Sequence, residues 1–152
     1  MKNNGLTLLL LVFIFSSCVS TKSTLRNIDD TAPVPKLSAT NTFVLTEYSK
    51  DKKYGYDKDY PVNVFFRNTR DENANQERYL NALAGPKGKK ISYKKVDTCC
   101  PFPSNKTEIG AGSLDIYEIT WEGQKEPVRL YLNYFEKGAL LVPVGLTLKR
   151  NE

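Results

Sequence analysis

The chain has 152 residues, with 22 Lys and Arg against 17 Asp and Glu and no histidine. That length suits one domain with its own core, and the missing imidazole excludes Ser-His-Asp and Cys-His nucleophile systems and removes a common ligand of transition-metal sites. The basic excess is scattered as Lys52-Lys53, Lys89-Lys90 and Lys94-Lys95, without the arginine-rich helix or aromatic-basic pattern of a nucleic-acid partner; it reads as a solvated face drawn to anionic lipid or polysaccharide.

In chain order, the first element is a signal-peptide helix over residues 1–17. Lys2 supplies the positive start, and Leu6 to Phe15 form an apolar run broken only by Thr7. The run is shorter than the roughly 20 residues a permanent span needs and has the flanks of a secretory segment. Ser16 and Ser17 then precede Cys18, and Phe15-Ser16-Ser17-Cys18 resembles the bacterial lipobox. The resemblance implies cleavage before Cys18, lipid on its thiol, and a protein held to the membrane without crossing it. Val19 stands where an aspartate would signal inner-membrane retention, so the expected location is the outer membrane, facing the periplasm. Losing residues 1–17 removes Lys2 and no acid, leaving 21 basic and 17 acidic side chains, a charge of +4.

Residues 18–40 read as a lipidated flexible tether. Ser, Thr, Pro33, Pro35 and charges leave almost no apolar pattern, too little to offset the entropy of ordering. The 22 residues after Cys18 reach roughly 25 Å as a coil and roughly 70 Å as polyproline II.

Residues 41–152 are expected to form a single α+β domain, a small antiparallel sheet with one packed helix. Phe43-Val44-Leu45 and Val62 to Phe66 read as strands around a Tyr-, Lys- and Asp-rich connection. Asn73 stands as a helix cap with Gln76 in the reciprocal position; Tyr79, Leu80 and Leu83 form the apolar face, and Gly85-Pro86 ends the helix. Ile91 to Val96 is a further strand. Ser113 to Glu122 and Val128 to Phe135 make the clearest hairpin, with Val128, Leu130, Leu132 and Tyr134 on one face. Glu136-Lys137-Gly138 turns into Ala139 to Val142, extending an antiparallel meander.

Two constellations stand out. Cys99-Cys100 is followed by Pro101-Phe102-Pro103. Adjacent Cα atoms lie about 3.8 Å apart, below the usual disulfide span of about 4.4–6.8 Å, so a bridge here needs a turned backbone. The pair reads as a structural vicinal disulfide, as two packed thiols, or as a redox or soft-metal site, and its spacing is not that of a Cys-X-X-Cys motif. Tyr54, Tyr56 and Tyr60, interleaved with Asp57 and Asp59, read either as a glycan or peptide surface or as cover for a sheet edge. Asp57-Lys58-Asp59 lacks the remaining positions of a calcium loop, and Gly110-Ala111-Gly112 reads as a turn. No cofactor or metal is expected.

The run Tyr79-Leu80-Asn81-Ala82-Leu83, Gly85-Pro86, Ile91-Ser92-Tyr93, Cys99-Cys100-Pro101-Phe102, Leu114-Asp115-Ile116-Tyr117-Glu118 and Tyr131-Leu132-Asn133 resembles a family of small uncharacterised bacterial lipoproteins. Some members carry the label 2-dehydro-3-deoxyphosphooctonate aldolase. The residues do not support that label, since a (β/α) barrel takes about 250 residues. The expectation is an envelope lipoprotein acting as a small binding or structural module, with a thiol-based or lyase-like enzyme as the alternative.

Overall fold

A computed structural model describes residues 22–65 and 73–150. The segment 1–17 expected to be a signal peptide, Cys18 and Phe66 lie outside them. The elements are β1 (Val62–Asn63), α1 (Ala74–Leu80), β2 (Leu83–Ala84), β3 (Ile91–Pro103), β4 (Ala111–Trp121), β5 (Val128–Asn133) and β6 (Thr147–Leu148). The main sheet has the order β1-β5-β4-β3, and β2 pairs with β6 in a separate two-stranded ribbon. This is an α+β fold.

The expected hairpin is the sheet centre, as β4 and β5 pair antiparallel from Asp115 opposite Leu132 to Ile119 opposite Val128. Alternation explains the packing. Leu130 and Leu132 are fully buried with Tyr79 and Leu80 of α1, Val62, Val64, Tyr117 and Ile119. Each such aliphatic side chain contributes about 1.5–3 kcal/mol by leaving water.

Four expectations are corrected. The sheet is mixed, because β1 lies parallel to β5, with Val62 opposite Leu132 and Asn63 opposite Asn133. Parallel neighbours need a long crossover, and α1, β2, β3 and β4 all lie between these two strands. The helix stops at Leu80, and Asn73 makes no side-chain cap hydrogen bond. Leu83 and Ala84 extend to meet Leu148 and Thr147, so backbone partners from the C-terminal strand override local helical preference. Phe43 forms only an isolated antiparallel bridge with Leu37, and Val142 only a parallel bridge with Tyr48. The strand expected at Ile91 to Val96 continues to Pro103.

The described part of the segment 18–40, expected to be a flexible tether, is largely docked. From Arg26 onward its main chain is bonded to the domain: the Arg26 N–H donates to the Asp59 carbonyl at 2.8 Å and the Asp29 N–H to the Lys137 carbonyl at 2.8 Å. Asn27 Nδ2 donates to the Pro61 carbonyl, and Asn63 Nδ2 donates to the Asn27 carbonyl. Ala32 is buried. Hydrogen bonds to backbone, invisible to a hydrophobic pattern, hold this polar segment down.

Candidate functional site

The most unusual local geometry lies on β3, the terminal strand of the sheet. Its register against β4 shifts twice, between Lys95 and Asp97 and between Cys99 and Phe102. In the second irregularity, Cys100 and Pro101 stand opposite Ser113 alone, an added residue that forms a bulge. Cys99 and Cys100 are joined as a vicinal disulfide with Cα atoms 3.7 Å apart, and Cys100 takes a φ of +58°. Both cysteines are half-buried. Past the bulge, Phe102 turns inward and meets the Phe135 ring edge-on at 6.3 Å. Gly112 makes room for this pair: a Cβ there would lie 2.7 Å from Phe102 and 2.8 Å from Phe135.

Next to the bulge lies a buried polar chain. Asp115 of β4 is 1 % exposed and sits opposite Thr98. Its Oδ1 accepts from Thr98 Oγ1 at 2.8 Å and pairs with Lys95 Nζ at 2.7 Å. Its Oδ2 accepts from Gln76 Nε2 at 3.0 Å, and Gln76 Oε1 accepts from the Tyr117 hydroxyl at 2.7 Å. Three donors thus compensate the burial of one carboxylate, as a buried charge requires. The arrangement ties α1 to the edge strand through its polar groups.

Sequence reasoning assigned Gln76 to a cap and passed over Asp115 and Thr98. The available signal was Asp115 itself, two and four residues before Tyr117 and Ile119 and therefore on the core face of an alternating strand. A second buried pair, Glu136 with Ser104 Oγ at 2.6 Å, closes the loop after β3 against the turn after β5.

Of the tyrosine cluster, Tyr54 is turned into the core, while Tyr56, Asp57, Asp59 and Tyr60 stay partly exposed. Tyr54 is buried, its hydroxyl donating to the Ala139 carbonyl at 3.0 Å and accepting from the Leu141 N–H at 3.1 Å. Tyr56 is half-buried and donates to the Val144 carbonyl at 2.8 Å. Burial pushes the Tyr54 phenol well above its ordinary pKa and raises that of Tyr56. Asp57 Oδ1 accepts from the Asp59 N–H at 2.9 Å, and Asp59 pairs with Lys58 at 2.9 Å. Lys53 Nζ lies 5.2 Å from the centre of the Tyr60 ring. The phenols of Tyr54 and Tyr56 thus fasten the connection leading into β1 to main-chain groups of the segment 139–144.

Among the described residues, no three His, Cys, Asp or Glu side chains group as a metal site, and no helix is long and apolar enough to cross a membrane. No protein-family model, curated protein or solved structure matches the chain.

Proposed function

We propose that the protein is an envelope lipoprotein, cut before Cys18 and anchored by lipid on that residue to the outer membrane, whose α+β domain serves as a small binding or structural module. The observation that carries this reading is the ordered front of the sequence: Lys2, the apolar run Leu6 to Phe15, Ser16-Ser17, then Cys18. Acyl chains contribute about 0.8 kcal/mol per buried CH₂, so several on one residue hold durably. The docked segment supports a close attachment. Arg26, eight residues after Cys18, is already bonded to the domain, and eight residues span at most about 29 Å.

The test is metabolic labelling with a fatty-acid analogue. The wild type should take the label and fractionate with membranes, whereas Cys18→Ala should take none and appear in the soluble periplasmic fraction. Label that survives Cys18→Ala overturns the reading.

A further inference from the structure

We infer that the turn after β2, together with the chain end after β6, forms a cationic face that lies against an anionic lipid surface and sets how the domain sits on the membrane; this rests on the lipoprotein reading above. Pro86–Gly88 form a single 3₁₀ turn, and the β2–β6 pairing brings the end of the chain beside it. Lys87, Lys89, Lys90, Lys149 and Arg150 are all exposed there. The Lys149 N–H donates to the Ala82 carbonyl at 2.9 Å, and Arg150 Nε lies 3.9 Å from where a Cβ on Gly88 would be. Among the described residues none of the five cations is in a salt bridge; Lys89 Nζ donates to the Glu122 carbonyl at 2.9 Å and keeps its full charge. The neighbouring β4–β5 turn adds Glu122, Lys125 and Glu126, which leaves a strong positive excess, and Asn151-Glu152 lie outside the described residues.

Lys87 adds an observation independent of charge. Its φ of 59° and ψ of 25° belong to the left-handed region, which glycine adopts freely and a lysine only at a cost. A strained residue on an open surface is a pointer to function, and Lys87 is exposed. The single tryptophan completes the face: the Trp121 ring is half-buried, 3.1 Å from a Cβ placed on Gly85.

The path of the N-terminal segment makes a membrane the fitting partner. β5 runs from Val128, near Trp121 and Ile91, toward Asn133, and β1 runs parallel to it. Traced back from Asp29, bonded to Lys137, to Arg26, bonded to Asp59, the chain runs opposite to β1. Over these residues the chain, read toward its start, therefore points to the end of the sheet that carries the lysines. A lipid anchor and a basic patch facing one way act as two membrane signals.

The experiment uses the chain from residue 18 onward, made without lipid, which contains every element described above. It is titrated with phosphatidylcholine vesicles with and without phosphatidylglycerol, following Trp121 emission and co-sedimentation. Only the anionic vesicles should bind, binding should fade with salt as screening tightens, and each lysine among 87, 89 and 90 changed to Gln should weaken it about fivefold. Lys87→Gly should weaken binding while leaving the melting temperature unchanged or higher, which separates loss of the patch from loss of the fold. Equal binding to neutral vesicles, wild-type binding by Lys87→Gly/Lys89→Gln/Lys90→Gln, or binding to inorganic polyphosphate but not to anionic vesicles would each overturn the inference. Because this chain carries no lipid, the result is independent of whether Cys18 is modified.

Discussion

The two outer strands of the main sheet are protected in different ways. β1 is short, and the N-terminal segment lies over it, with Asn27 bonded to Pro61 and Asn63 and Asn63 in turn accepting from Asn133 Nδ2 at 2.9 Å. Among the described residues no segment lies over β3 in that way. It is the longer strand, and an open edge of that length invites pairing with another chain. Lysines at 94 and 95 and two register breaks blunt it, and the second break is closed covalently by Cys99–Cys100. The first edge is protected by adding chain, the second by distorting the strand itself. Covering stabilises through many bonds at once, whereas a bulge and a small covalent ring stabilise little and mainly fix shape.

The largest expected effect falls on what both edges share. Leu132→Asp buries an unpaired carboxylate between β1 and β4, and it should cost about 3–5 kcal/mol in urea denaturation. A melting curve like that of the wild type would show that β5 is not the sheet centre.

Alkali should come next, and it probes the covered side. Tyr79 is fully buried, its hydroxyl donating to the Leu141 carbonyl at 2.7 Å; burial, then the neighbouring Tyr54, push its pKa well above the ordinary value, and burial does the same for Tyr54. Below pH about 10 both phenols are protonated in the folded and unfolded chain alike. Above it the unfolded chain releases protons that the folded chain retains, so stability falls as pH rises from about 10 toward the raised folded values. Each phenol contributes a slope of up to about 1.4 kcal/mol per pH unit. Denaturation midpoints measured across that range should decline, and Tyr54→Phe should make the decline shallower.

Gly138→Ala tests the cover on β1 directly. The new Cβ would lie 2.8 Å from the Asn27 carbonyl oxygen and 3.0 Å from Asn63 Nδ2, so the N-terminal segment must shift, at a cost of about 1–3 kcal/mol. Proteolysis should then nick residues 22–32 faster than in the wild type. Unchanged cleavage would mean that the segment contributes nothing to that edge.

The smallest effect should come from Cys99→Ser/Cys100→Ser. So short a ring removes little chain entropy from the unfolded state, and the loss should be about 1 kcal/mol or less, with faster amide exchange confined to residues 98–103. A cost larger than that of Gly138→Ala would reverse the comparison and make the disulfide the chief support of its edge.

The sequence alone determined the α+β class, the central hairpin and the helix near Tyr79, because apolar alternation and helical spacing are local patterns that burial reads directly. It also marked Cys99-Cys100 as the place to look, since two adjacent cysteines leave few geometries. Four features came only from tertiary structure: the parallel seat of β1, the early end of α1, the docking of residues 26–32, and the Tyr117-Gln76-Asp115-Thr98 chain. Each depends on a hydrogen bond between groups far apart in the chain, and such partners have no period in the sequence. Gln76 shows the limit best. Its spacing from Asn73 fits a cap, but its Nε2 donates to a buried carboxylate 39 residues away and its Oε1 accepts from the buried Tyr117 hydroxyl, and leaving such buried groups unpaired would cost the full desolvation penalty.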